Sequence, residues 1–211
     1  AASDVYKRQA GEPSVDGLAN PFADVQPNAY YGKAVIWAAN HGVVKGMSQT
    51  QFAPNRAVTR EQTATFLYRY AVYAGMNTQA AADLSPYTDA GSISGWAREA
   101  MTWAVTSGII QGMSAEILAP KGTATRAQAA QMFYNLLLEQ EVPVTVHFDD
   151  VPDTAWYSKA VNTLGSLGIV AGIGDGQYAP ERPITRAEFT VIAMRFAKLP
   201  EGGTNIFSDV V

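Results

Sequence analysis

The chain of 211 residues contains no cysteine and only two histidines, His41 and His147. Without thiols there is no disulfide and no thiolate chemistry, a pattern that fits a cytosolic protein or a bacterial surface protein that avoids cysteine. Neither histidine has a repeated carboxylate beside it, so no zinc ligand set is present. Cations are also short: 15 Lys and Arg stand against 19 Asp and Glu, a formal net charge of -4. That balance argues against a nucleic-acid surface, which requires clustered Lys and Arg. No apolar run approaches the roughly 20 residues of a membrane-spanning helix, so no membrane insertion is expected. An initiator Met and a signal-peptide pattern are both missing, which reads as a fragment of a longer protein.

Catalytic patterns are missing too. There is no Gly-x-Ser-x-Gly and no phosphate-binding loop, and nothing marks a cofactor. Glycosidases need two carboxylates at a defined gap, yet the acid at Glu61 is alanine in the two related segments, Ala127 and Ala187. Asp149, Asp150, Asp153 and Asp175-Gly176 do not follow calcium-loop spacing and read as solvated loop acids.

What is present is one phrase written three times. Its fixed points are Gly42/Gly108/Gly168, Gly46/Gly112/Gly172, Pro54/Pro120/Pro180, Thr59/Thr125/Thr185 and Arg60/Arg126/Arg186, with identical internal spacing in every copy. A repeat of this kind indicates units that bury a shared core, since each alone would be marginal. Residues 22–75, 87–140 and 147–199 form the three units, after a non-repeat segment 1–21. Within that segment Ala1–Gln9 resembles a translated adapter run. At the other end, 206–211 restates the opening Phe22-Ala23-Asp24-Val25 as Phe207-Ser208-Asp209-Val210, the start of a fourth unit or a closing segment.

Each unit reads as helix-loop-helix, an all-α arrangement. In the first helices Tyr31, Ala34, Val35 and Ala38 lie at i, i+3, i+4 and i+7; Ala97, Ala100, Met101, Ala104 and Tyr157, Ala160, Val161, Leu164 repeat the stripe. Gly42, Gly108 and Gly168 stand where a left-handed C-terminal cap is expected, followed by the buried connectors Val43-Val44, Ile109-Ile110 and Ile169-Val170. The second helix starts at T-R-E-Q, T-R-A-Q and T-R-A-E, with inward faces Ala64/Leu67/Tyr68/Ala71, Ala130/Phe133/Tyr134/Leu137 and Thr190/Ala193/Met194/Ala197. Linkers near Ala80–Pro86, Glu141–Val144 and Pro200–Asn205 carry helix-breaking residues.

Phe-x-Asp-Val, an aromatic ahead of Ala-Val, Gly-Ile-Val-x-Gly, a loop, Pro and then Thr-Arg-Ala-Glu together resemble the S-layer homology repeat. Unit three matches most fully, through Phe148, Asp150, Val151, Trp156, Tyr157, Ala160, Val161, Gly168–Gly172 and Thr185–Glu188. The likeness implies three repeats packed as a pseudo-threefold prism around a central helical bundle, with binding grooves between neighbours. It also implies an extracellular location at the bacterial cell surface or wall. The partner it implies is a cell-wall-linked polysaccharide, a pyruvylated secondary polymer, or a peptidoglycan-associated glycan, with the module continuous with a larger surface protein. The chain departs from the pattern at Gln62 and Gln128 (usually Glu), at Tyr30 in place of Trp, at Ala97 in place of Tyr, and by one extra residue between Asp89 and Trp96.

Thr followed three residues later by Glu or Gln is a capping box, which accounts for Thr59/Gln62, Thr125/Gln128 and Thr185/Glu188. It does not account for the arginine. A cation in the first turn opposes the helix dipole by roughly 0.3–1 kcal/mol, so Arg60, Arg126 and Arg186 call for a compensating anion. That anion is either internal (Asp24, Asp89, Asp150) or a ligand carboxylate gripped by the guanidinium and the free amides of the helix N-terminus. On the ligand reading, Arg186→Ala weakens wall-polymer binding and leaves the melting temperature nearly unchanged.

Tyr30, Trp96 and Trp156 precede the first helices; each either fills space between units or offers a face to a sugar ring. Gly46, Gly112 and Gly172 serve a positive-φ turn or a close approach of backbone to ligand. Together with Glu188 these are the candidate ligand-binding residues; no catalytic or metal-binding residue is assigned. Two rival readings are a protein–protein assembly module of a surface layer and a non-catalytic region of a cell-wall or polysaccharide hydrolase.

Overall fold

A computed structural model of the chain describes residues 14–137 and 142–197. Segments Ala1–Gln9, 200–205 and 206–211, and Glu141, lie outside the described residues. The helices run α1 Gly32–Asn40, α2 Arg60–Tyr73, α3 Arg98–Thr106, α4 Arg126–Leu136, α5 Ser158–Ser166 and α6 Arg186–Phe196. Two short 3-10 turns, Ala90–Ser92 and Gly95–Ala97, precede α3 and take up the extra residue of unit two. No strand is formed among the described residues, so the all-α reading holds.

Local signals decide where the helices start and stop. Thr59, Thr125 and Thr185 are the N-caps of α2, α4 and α6, and all three capping boxes are complete. Gly42, Gly108 and Gly168 adopt φ of 72°, 66° and 70°, the left-handed conformation that glycine tolerates without strain. At Gly42 the amide bonds Ala39 O while Val43 bonds Ala38 O, and Gly168 and Ile169 repeat the pair on Gly165 and Leu164. This is the Schellman arrangement, which satisfies the orphan carbonyls of the last turn.

The helices pair between units rather than within them. First helices pack on the second helix of the preceding unit: α3 on α2, α5 on α4, and α1 on α6. The last pair closes the array, because α1 begins the chain's first unit and α6 ends its third. A cycle of backbone hydrogen bonds marks the same closure: Val58 N–H donates to Ile184 O (3.1 Å), Ile184 to Ala124 O (3.0 Å), and Ala124 to Val58 O (2.9 Å).

Second helices meet at an aromatic cluster, Phe133 and Phe189 at 5.0 Å, Phe133 and Phe196 at 5.4 Å, Phe66 and Phe189 at 5.8 Å. Their buried faces are therefore wider than a single stripe: Phe66, Tyr70, Met132, Phe189 and Phe196 are buried, whereas Tyr68 and Tyr134 are only partly covered. Periodicity locates one face of a helix; these helices touch several neighbours. The first helices keep the expected stripes, and the connectors Val43-Val44, Ile109-Ile110 and Ile169-Val170 are buried.

Candidate binding crevices between the repeats

Between the second Gly and the Pro of each unit, the loop is held by the Asp of the opening phrase. Asp24 accepts the Phe52 and Ala53 amides at 2.8 and 2.7 Å, Asp89 those of Leu118 and Ala119 at 2.9 and 2.7 Å, and Asp150 those of Tyr178 and Ala179 at 2.7 Å each. The clamp stabilises an unusual backbone, because Ala53, Ala119 and Ala179 have φ of 59°, 52° and 57°. Burial pushes the Asp24 carboxyl up, but the two amides and the Arg186 charge outweigh it and hold its pKa below the ordinary value.

Gly46, Gly112 and Gly172 have negative φ, so the positive-φ expectation fails there. What excludes a side chain is crowding by the chain's own loop. A Cβ on Gly46 would stand 2.3 Å from Ser48 O, one on Gly112 2.3 Å from Ser114 O, and one on Gly172 2.6 Å from Gln177 O. Each also abuts the aromatic ring that opens its unit, Phe22, Tyr87 or Phe148.

The arginines reach across the junctions. Arg60 donates through Nε to Leu118 O (3.0 Å) and through Nη2 to Gln111 O (2.6 Å). Arg126 grips Tyr178 O (2.8 Å) and Ala171 O (2.7 Å), and Arg186 grips Phe52 O (2.6 Å) and Lys45 O (2.7 Å). Exposures of 4%, 6% and 2% show that all three are core residues of the interfaces. Arg126 lies over the Tyr178 ring at 4.4 Å and Arg186 over Phe52 at 4.5 Å, stacking that suits a planar guanidinium.

The charge that offsets the helix dipole is thus supplied mainly by carbonyl oxygens of the following unit. The helix N-terminal amides are occupied as well. Those of Arg60, Arg126 and Arg186 donate to Gly122, Arg182 and Arg56 O, those of Glu61, Ala127 and Ala187 to Pro120, Pro180 and Pro54 O, and the third to the capping Thr. Free amides for a ligand anion, expected from the helix start alone, are absent from the first turns of α2, α4 and α6. Nor does the expectation stand that Arg186→Ala leaves stability untouched, because its loss would strand buried carbonyls.

A cavity of about 460 Å³ opens at one junction, with Arg60, Gly112, Met113, Gln128, Asn135 and Trp156 among its lining residues. It draws on three units at once: the arginine from the first, the connector and second helix from the second, the aromatic from the third. The same order recurs at the other junctions. Burial, and then the nearby Glu188 charge, raise the Tyr30 phenol pKa, and Arg126 reaches the unit-three connector. The Gly95–Ala97 turn carrying Trp96 packs on α2, and Arg186 reaches the unit-one connector. Tyr30, Trp96 and Trp156 are 72%, 57% and 62% exposed, so none of them fills the core. By contrast Trp37 and Trp103 within the first helices are buried.

Sequence reading missed two features. Met47, Met113 and Ile173, each directly after the second glycine, are exposed apolar side chains at one repeat position, a regularity visible in the alignment of the copies. Glu61, unmatched in the other units, is buried and accepts Ser94 N–H and Oγ at 3.0 Å and Lys121 Nζ at 2.7 Å. It pins the turn that contains unit two's extra residue. No sequence pattern announced that pairing. Among the described residues no group of three His, Asp or Glu gathers as a metal would require, and no helix is long and apolar enough to cross a membrane.

A closed array of three helical repeats, with a buried arginine crossing each junction, an exposed aromatic at one repeat position and a cavity where Arg60 and Trp156 meet, is the class these features define. The S-layer homology domain model matches residues 21–64, 86–130 and 147–190, more than half of the chain. The protein belongs to the S-layer homology domain family, and with it to the bacterial cell surface. It is 36% identical over 129 residues to the Surface-layer 125 kDa protein of Lysinibacillus sphaericus, covering 61% of this chain and 11% of that one. To the Exoglucanase XynX of Acetivibrio thermocellus it is 33% identical over 116 residues, 55% of this chain and 11% of the enzyme. A Cellulosome-anchoring protein of Acetivibrio thermocellus shares 30% identity over 91 residues, 41% of this chain and 20% of that protein. The chain therefore spans only a small part of the curated relatives it matches.

Proposed function

We propose that the chain is a non-catalytic anchor that holds a larger exported protein to the bacterial wall by binding an acidic, pyruvate-ketal-bearing wall polysaccharide in its junction crevices. One observation carries this reading: an exposed aromatic ring stands at the mouth of each junction, at the same repeat position, beside a buried arginine. A ring in water at a cleft edge suits the apolar face of a sugar, while a guanidinium suits a carboxylate on it. The relatives support the reading by kind. One is named for a surface layer, one for anchoring, and the exoglucanase shares only a small fraction of its length with the chain.

Binding to purified wall sacculi, before and after chemical removal of the secondary polymer, tests the proposal. The chain binds the intact sacculi and loses them once the polymer is stripped; equal binding to both would sink the reading. Trp96→Ala weakens binding about tenfold or more, as loss of a stacking ring at a site should, with the melting point unchanged because the ring is exposed. Assembly of the chain with itself and indifference to sacculi would favour the surface-layer assembly alternative.

A further inference from the structure

The three junctions share a plan but differ in charge. At the Arg126 junction the chain supplies its own anion: Glu188 pairs with Arg182 and lies 3.7 Å from Arg126 Nη1. Burial raises the Glu188 pKa, but the Thr185 amide, Arg182 and Arg126 together bring it below the ordinary range, so the carboxylate is charged. The counterparts of Glu188 at the other two junctions are the neutral Gln128 and Gln62.

The Arg60 junction is nearly neutral otherwise. Asn135 uses its amide on Gly108 and Ile109 carbonyls, and Gly122 stands where the third unit has Arg182. At the Arg186 junction those two positions are Arg69 and Arg56. The Arg186 guanidinium lies 5.2 Å from the Phe66 ring, and Arg69 follows Phe66 by three residues on the same face of α2. Burial, and then the charges of Arg56 and Arg69, lower the Arg186 pKa to about 10, leaving it protonated at neutral pH. Arg69 is half-buried and makes no hydrogen bond or ion pair among the described residues. The carboxylate nearest in effect, Asp24, has both oxygens engaged by the Phe52 and Ala53 amides.

Three guanidinium groups gathered at one junction with no ion-paired carboxylate among the described residues is a costly arrangement that an incoming anion relieves. We propose that the Arg186 junction is the crevice of the three that selects an acidic sugar, with Arg69 and Arg56 reading its carboxylate and Trp96 carrying its ring. The Arg126 junction holds Arg126, Arg182 and Arg195, whose Nη1 donates to Ile169 O, but there Glu188 already answers part of the positive charge, which no carboxylate does through an ion pair at the Arg186 junction. This assignment rests on the glycan reading above and adds which junction takes the charge and through which side chains.

The test uses the whole chain and two probes, a methyl hexoside bearing a pyruvate ketal and the methyl ester of the same compound. The acid binds more tightly than the ester, and its titration moves the indole N–H resonance of Trp96 while leaving that of Trp156 in place. Arg69→Gln weakens the acid roughly 10- to 100-fold, the range for losing one charge-assisted contact, and does not change the ester. Its melting point stays equal or rises, because Arg69 has no partner to lose; Arg56→Gln, on an exposed loop, repeats the test away from the helix. Acid binding that survives both substitutions, or that moves Trp156 instead of Trp96, overturns the assignment and leaves the glycan reading standing. Failure of the wild-type chain to bind either probe removes the glycan reading and this assignment with it.

Discussion

Arg186 sits on the first turn of a helix and looks misplaced against the dipole until its partners are counted. Its fork reaches Phe52 and Lys45 carbonyls, which belong to the far end of the chain. Arg186→Ala should therefore cost about 2–4 kcal/mol, from one or two charge-assisted hydrogen bonds and the carbonyls left bare. By calorimetry that appears as a fall in Tm of roughly 2–4 °C per kcal/mol. Arg186→Lys should recover little, since a point charge cannot span two carbonyls as a planar fork does.

The acids act at the same scale. Asp24 and Glu188 both have folded pKa values below their ordinary ones. A carboxyl of this kind contributes stability that is complete above its unfolded pKa, about 4, and is lost as pH falls through the lower folded value. Melting points measured downward from pH 5 should fall in acid, and Asp24→Asn should flatten that limb while lowering the plateau near neutrality.

At the scale of an element, the two glycines of each unit are required for different physical reasons. Gly168 is a left-handed cap, so Gly168→Ala should cost about 1–2 kcal/mol and leave the rest of the unit in place. Gly172 has no such constraint; its Cβ direction is filled by Gln177 O at 2.6 Å and Phe148. Gly172→Ala forces the loop outward, with a loss of about 1–3 kcal/mol, in the range for overpacking. Proton exchange of the 173–177 amides checks the distinction: faster in Gly172→Ala, unchanged in Gly168→Ala. The helix starts were readable from Thr and Gln or Glu three residues apart because a capping box is local. The breadth of the buried face of α2 was not, because it depends on which helices arrive from other units.

At the scale of the molecule, the ring of contacts means that no repeat buries its core alone. α1 leans on α6, and the Val58, Ala124 and Ile184 amides close a cycle with one member from each unit. Ending the chain after residue 137 should remove the partner of α1 and both Arg186 bonds, and urea unfolding should lose its single steep transition. The whole chain should unfold in one step by circular dichroism and fluorescence alike. Two separate transitions at full length, one for each part, would contradict closure.

Sequence alone determined the number of units, their helix starts and caps, and the residues at each recurring point, because these depend on spacing and on contacts within a few residues. It also singled out Arg60, Arg126 and Arg186 as anomalous in their helices and named Asp24, Asp89 and Asp150 as their possible internal partners. Only the tertiary structure decided what those arginines hold. Their main acceptors are backbone carbonyls, which every residue possesses and no sequence pattern marks. It likewise decided that the acids serve chiefly as clamps on the Ala53, Ala119 and Ala179 turns, and that three different units furnish the cavity at the Arg60 junction. A junction built from residues some 50 to 140 positions apart, as Arg60 to Leu118 and Arg186 to Lys45 are, exists only once the ring is closed.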